Sequence, residues 1–454
     1  MAARNPSPEE PATTPMRSEG DGGPRLLGSR SFFRLWLAQV ISSLGDWIGL
    51  VAILSITARV GGKSPEAAIA LVMSARMIPG FFLASVGGVL VDRWDRKKVM
   101  VACDVGRGLV LASLPLVETI PGLFVASLVL EILTLLWSPA KEASVPNMVP
   151  TDKLATANSF SLAAAYGTFP LGSALFASLT KVSQWVGEHA GPLAFLRLSQ
   201  ESLAIYVDVL TFFGSALLLS TLAIPRNGGR RGDGPISLQG RRFWSSALTE
   251  AKEGWQFISA NPLVRSVMIG LGTGLIGGGM VAPLGPTYSN DVLGSGPAGF
   301  GLLLTALGTG LAVGVVGVST IQQRLAHQRI FPLAVLGAGA SMMVAVSMSS
   351  LAVTMAFIAL MGVCAGAVYV LGFTILQENV SDDLRGRIFA ALYTLSRLCL
   401  LISLSLAPLL ATILDRLTPV PGVRVTLWLG ASIIVVAGIL AIRTLRPSGE
   451  EIAT

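Results

Sequence analysis

Residues 330 to 374 run without one charged side chain. As a single helix this stretch would extend about 67 Å at about 1.5 Å per residue, more than twice the roughly 30 Å hydrocarbon core of a bilayer. Two membrane-crossing helices with a reversal near Ser349 and Ser350 are therefore expected. Hydrocarbon leaves an unpaired backbone N–H or C=O unsatisfied, so a crossing segment that holds its own hydrogen bonds is helical. The same test along the chain finds twelve windows, at approximately 34–57, 67–91, 99–117, 121–145, 157–179, 203–222, 266–287, 299–321, 330–348, 352–374, 388–413 and 425–442. Composition agrees, because 13% charged residues is about half the roughly 25% of a soluble domain. The expected fold class is an all-α integral membrane protein with twelve transmembrane helices.

Residues 1–30 lack the apolar core and cleavage site of a signal peptide and are expected to form a disordered tail. The formal charge of +7 does not point to nucleic acid, because most basic residues lie between apolar runs rather than on one face. Lys and Arg favour cytoplasmic loops. With the N-terminus inside, the inner segments hold far more of them than the outer ones, where only Arg59, Lys63, Lys181, Arg197, Arg416 and Arg424 fall, so both termini are expected in the cytoplasm. The long inner connection divides the chain into bundles at 31–222 and 266–445, with a linker at 223–265 and a tail at 446–454. In the linker Leu248, Ala251, Trp255 and Ile258 recur at helical spacing, with Arg241, Arg242 and Lys252 available to headgroups. The outer segment 180–202, with Trp185, His189 and Arg197, is the longest on its side. Cys103, Cys364 and Cys399 lie in apolar runs without CxxC spacing and read as small core residues.

At the inner end of the second window stand Gly88, then Asp92-Arg93, then Arg96, Lys97 and Lys98. A glycine permits close helix approach, an aspartate attracts a helix N-terminus, and a basic cluster holds a loop at the anionic leaflet. The run resembles the signature loop of the major facilitator superfamily, G-x-x-x-D-R-x-x-R/K-R/K. The narrower likeness is to the bacterial group of the enterobactin exporter and macrolide-efflux-like proteins. It rests on Gly45-Asp46, Arg76 with Pro79, Asp104 with Arg107, Pro139-Ala140, Ala157-Asn158-Ser159, Asp208, and Gln377-Glu378 before Asp383-Leu-Arg385-Gly386-Arg387. The resemblance implies two six-helix bundles rocking about a central site, and a monomeric small-molecule exporter in the bacterial inner membrane, driven by a proton gradient without a cofactor. It also implies an inner gate, in which Asp92 meets the start of the eleventh span near Arg385 and Arg387. The chain departs from the family pattern at Gly317 to Arg324, which lacks a second Asp-Arg pair, at Phe169-Pro170-Leu-Gly172, and at Glu131 in place of a basic residue.

An ionised side chain at mid-bilayer costs from about 2.5 kcal/mol upward and needs a partner or a watery cavity. Asp46, Arg76 and Glu131 lie at one depth, roughly 14 to 16 Å from the outer ends of their spans. They form a candidate coupling or substrate cluster, with a static ion pair as the alternative. Asp104 and Arg107 stand i, i+3 on one helical face and are expected to neutralise each other structurally. Asp208 lies about 9 Å from the outer end of its span, where snorkelling or a helix-end bond is expected. Arg397 has no acid at its depth in its own half, so it is expected to face the cavity and meet the carboxylates of the first half or an anionic substrate.

Gly62-Lys63-Ser64 lacks the earlier glycine of a phosphate-binding loop, and Gly272-Thr-Gly274-Leu-Ile-Gly277 sits inside an apolar span, where glycines serve helix packing, as do Gly310 with Gly314 and Gly362 with Gly366. The histidines, His189 and His327, fall in opposite loops, so no metal or acid–base site is expected at depth and an embedded enzyme is disfavoured. A lipid flippase and a transporter-like sensor remain as alternatives to export of drug-like compounds or siderophore-like acids.

Overall fold

The computed structural model describes residues 25–62, 64–150, 153–189, 201–222, 258–321, 326–380 and 382–444; within them the side chains of 81–93, 155, 187–189, 321, 382–387, 389, 390 and 393 lie outside the description. Fourteen α-helices follow among the described residues: α1 (Arg30–Val60), α2 (Pro65–Arg93), α3 (Arg96–Ser113), α4 (Ile120–Glu142), α5 (Leu154–Gly167), α6 (Phe169–His189), α7 (Ser202–Ser220), α8 (Pro262–Gly279), α9 (Val281–Thr287), α10 (Gly296–Ile321), α11 (His327–Ser347), α12 (Leu351–Asn379), α13 (Asp382–Leu417) and α14 (Gly422–Thr444). Among the described residues eleven segments are long and apolar enough to cross a membrane, and the 29-residue α2 occupies the second window. The all-helical membrane fold expected from the sequence is the fold observed. The uncharged stretch reverses at Met348–Ser350, where Arg424 donates to the Met348 carbonyl at 3.0 Å and to Ser349 Oγ at 3.2 Å.

Side-chain caps set several helix starts, because the first N–H groups of a helix have no partner within it. Ser29 Oγ accepts from Phe32 N–H, Asp95 Oδ1 from Lys97 and Lys98 N–H, and Asn261 Oδ1 from Leu263 and Val264 N–H. The turns after α1 and before α10 use Gly62 (φ 59°), Gly294 (φ 61°) and Gly296 (φ 56°), a backbone region that L side chains disfavour.

Two windows expected to be single helices are interrupted. The fifth is α5 and α6 joined at Thr168. Pro170 has no N–H for the ladder, and Thr168 Oγ1 turns back to the Ala164 carbonyl at 2.9 Å. Gly172 then lets α6 approach α1 so closely that an added Cβ would lie 2.7 Å from Trp47 Cβ. α6 continues to His189, so residues 180–189, expected as the start of an outer loop, are helical; Arg197 lies outside the described residues. The seventh window is α8, α9 and a π-helical turn at Tyr288–Val292, with Pro286 inside α9. The linker residues Leu248, Ala251 and Trp255 lie outside the described residues, and Ile258 is buried.

Each half builds a core. One cluster is made of residues from Ile258 onward. Another gathers residues of α1–α4, α6 and α7 and takes in Phe300, Leu304 and Leu404 from the second half. That intrusion places the contact between halves at the Gly62/Gly294 end. There α10 lies on α6, with Gly301 against Ser173, Phe176 and Ala177 and Gly308 against Phe169 and Pro170.

Candidate functional site

The apolar packing of α1, α2, α3, α4 and α7 encloses six ionisable side chains. On α1, Gly45 and Gly49 lack side chains where α7 passes, and a Cβ at either would overlap the Asp208 carboxylate, with Thr211 also struck from Gly45. This absence of bulk lets an acid on α7 lie flat against α1.

Arg107 of α3 is the hub. It is 1% exposed and ion-paired to Asp104 on its own helix and to Asp46 of α1, the latter at 3.4 Å. Asp104, wholly buried, also accepts from Ser215 Oγ of α7 at 2.6 Å. The guanidinium carbon sits 4.5 Å from the Phe212 ring centroid and 5.4 Å from that of Trp137, so aromatic faces supply attraction where water is excluded. Asp104 and Arg107 pair as the i, i+3 spacing suggests, but the pair is not self-contained, because the arginine reaches across to Asp46.

A second pair joins Arg76 of α2 to Glu131 of α4 at 3.9 Å, both partly exposed. The three residues expected at one depth are thus brought together with a division of partners: Glu131 faces Arg76, while Asp46 faces Arg107. Asp46, Arg76 and Asp208 bound a common void with Gly49, Leu130, Thr134 and Phe212. Asp46 is the more open of its acids, with a side chain 34% exposed.

Asp208 corrects the expectation of a snorkelling residue. Its side chain is 0% exposed, Oδ1 accepts from Thr211 Oγ1 at 3.2 Å, and Oδ2 has no hydrogen-bond partner. The sequence signal for this placement was the Gly45/Gly49 pair, one turn apart and on either side of Asp46. Its depth along α7 did not disclose it, since packing against α1 closes the route to water.

Arg397 of α13 is exposed, and among the described residues no hydrogen bond or ion pair joins it to the carboxylates of the first half. At the opposite end from Gly62, Arg96 donates to the Ala143 carbonyl at 2.7 Å and Lys97 to the Leu222 carbonyl at 2.8 Å, tying the start of α3 to the ends of α4 and α7. The side chains of Asp92, Arg93, Arg385 and Arg387, and the surroundings of Gly88, lie outside the description. Among the described residues no three His, Cys, Asp or Glu side chains are grouped as metal ligands. Cys103, Cys364 and Cys399 are free thiols, and two of them are buried.

The arrangement can hold charge inside an apolar bundle, exchange it with a partly open face through Asp46 and Glu131, and change its pairing when helices shift. The chain matches the family described as Major Facilitator Superfamily over residues 35–403 and 267–453. It is 25% identical over 391 residues to an uncharacterized MFS-type transporter, YfiS, of Bacillus subtilis (strain 168), covering 84% of this chain and 87% of that one. It is 26% identical over 416 residues to the multidrug efflux pump Tap of Mycobacterium tuberculosis (strain ATCC 25618 / H37Rv), covering 90% and 92%. Among solved structures, a bacterial homolog of the human lysosomal transporter Spinster, inward-facing and unoccupied, superposes with a TM-score of 0.69 at 13% identity, covering 92% of this chain and 98% of that one.

Proposed function

As a member of the major facilitator superfamily this chain is a membrane transporter and not an enzyme, and we propose that it exports small organic molecules in exchange for protons. The observation that carries this reading is a cluster of four carboxylates, Asp104 and Asp208 wholly buried and Asp46 and Glu131 partly exposed, against two guanidinium groups, Arg76 and Arg107. Fully ionised, the set would hold two uncompensated negative charges in an apolar bundle. Each such charge costs from about 2.5 kcal/mol upward at membrane depth, so proton uptake is the least costly way to balance it. A site that balances its charge with protons responds to a proton gradient.

Contact between the two halves along α6 and α10 supports alternating access by two bundles that move against each other. With both termini in the cytoplasm of a bacterial inner membrane, the Gly62/Gly294 end faces outward. The multidrug efflux relative supports drug-like substrates. Exposed Arg397, without a protein counter-ion among the described residues, offers a contact for anionic substrates such as siderophore-like acids. The transporter acts as a monomer.

The test is uptake of fluorescent cationic dyes and catecholate acids into inverted vesicles, with and without an imposed proton gradient. Gradient-driven uptake by the parent that is lost in Asp46→Asn is the expected result; uptake indifferent to both changes would leave facilitated diffusion. In the same vesicles Arg397→Gln is expected to weaken uptake of the acids and spare that of the cations, and unchanged acid uptake removes Arg397 from the substrate site.

A further inference from the structure

Asp208 is used by none of the ion pairs just described, yet like Asp104 it is wholly buried. Resting on the antiport reading and naming its proton site, we propose that Asp208 is the residue that holds the exchanged proton in this conformation, with Asp46 as its port to the cavity.

Three observations carry the assignment. Asp208 Oδ2 is buried and without a hydrogen-bond partner, and neither Arg76 nor Arg107 pairs with the carboxyl. A carboxylate left so in an apolar interior is unsupported, whereas a carboxylic acid is neutral and its O–H needs only one acceptor. Next, Gly45 and Gly49 set the α1 backbone against both carboxyl oxygens, which leaves no room for a partner on that side. Finally, the void shared by Asp208, Asp46 and Arg76 has about 10 Å³ of room for a water centre, the space of about one water molecule. One water there would link the buried acid to Asp46, whose side chain is 34% exposed.

The charged groups around Asp208 define the step. α1 contributes Asp46, α2 Arg76, α3 Asp104 and Arg107, and α4 Glu131; on α7 itself Thr211 donates to Oδ1. The proton leaves Asp208 Oδ2 for the bridging water, which passes a proton to the Asp46 carboxylate. Asp46, neutral, releases Arg107 and delivers its proton to the cavity. The new Asp208 carboxylate then faces a freed Arg107, which already lies over Phe212, one helical turn from Asp208. One proton leaves the site for the cavity: Asp46 ends as the carboxylate it began as, Asp208 carries the new negative charge, and the guanidinium stays charged.

Infrared difference spectroscopy of the purified full chain tests the site without any substrate. The carbonyl stretch of a protonated carboxylic acid at neutral pH is expected in the parent, lost in Asp208→Asn and kept in Asp104→Asn. Gly49→Ala, which forces a methyl against Oδ2, is expected to shift that band. A band that survives Asp208→Asn, or no such band in the parent, overturns the assignment. In proteoliposomes carrying a lipophilic cationic dye, Asp208→Asn is expected to lose gradient-driven uptake while retaining dye-for-dye exchange, and retained gradient-driven uptake overturns its coupling role. A parent that shows the band but no gradient-driven flux would refute antiport and leave the buried proton in place, so the two failures are distinguishable.

Discussion

Arg107 shows how much one side chain decides in this bundle. Removing one member of a buried ion pair strands the other charge, a loss of about 3–5 kcal/mol, and Arg107 has two such partners, Asp104 wholly buried and Asp46 partly exposed. Arg107→Gln is therefore expected to lower the melting temperature in detergent far more than Asp46→Asn does. Adding Asp104→Asn to Arg107→Gln should recover part of that loss, because the stranded charge is then gone, and a strictly additive pair would contradict the coupling. The presence of charges at depth was legible in the sequence; their partners were not. An i, i+3 spacing names a neighbour on the same helix, but an arginine is long enough to bridge the roughly 8–10 Å between packed helix axes. The shared depth of Asp46, Arg76 and Glu131 leaves open which acid flanks Arg76; Glu131 does, while Asp46 is held by Arg107.

Helix pairing follows the glycines. α10 and α12 cross with Gly310 and Gly314 of one against backbone carbonyls of Ala359 and Val363, and Gly362 and Gly366 of the other against those of Leu307 and Leu311. An added Cβ would overlap backbone at each of these positions, and backbone cannot rotate away as a side chain does. Gly314→Val is expected to destabilise the protein by about 1–3 kcal/mol or more, read as a lower detergent melting temperature. Gly317→Ala, three residues on with open space around its position, should be near neutral, and equal losses at both sites would refute the interlocking. This small-xxx-small pairing was visible in the sequence because its spacing is local. The interruptions at Thr168 and within the seventh span were not, since proline is tolerated inside membrane helices wherever neighbours satisfy the freed groups.

For the whole molecule, the two halves meet at the Gly62/Gly294 end, where α6 and α10 lie so close that a Cβ added at Gly301 would be 3.0 Å from Ala177 Cβ. Disulfides join Cβ atoms about 3.5–4.5 Å apart, within a small adjustment of that distance. With Cys103, Cys364 and Cys399 replaced, the pair Ala177→Cys and Gly301→Cys is expected to cross-link on oxidation and to arrest transport until reduced. Full transport by a quantitatively cross-linked protein would show that this end does not need to open.

The sequence alone determined that the chain is a membrane-embedded helical bundle, and approximately which segments are apolar enough to cross. Both follow from a one-dimensional balance of hydropathy, length and backbone hydrogen bonding. Its charged signature at Gly88 and Asp92 also pointed to the family. Only the tertiary structure decided which acid is sealed away. Burial depends on what the neighbouring helix lacks, and Asp208 is enclosed because α1 presents Gly45 and Gly49 to it.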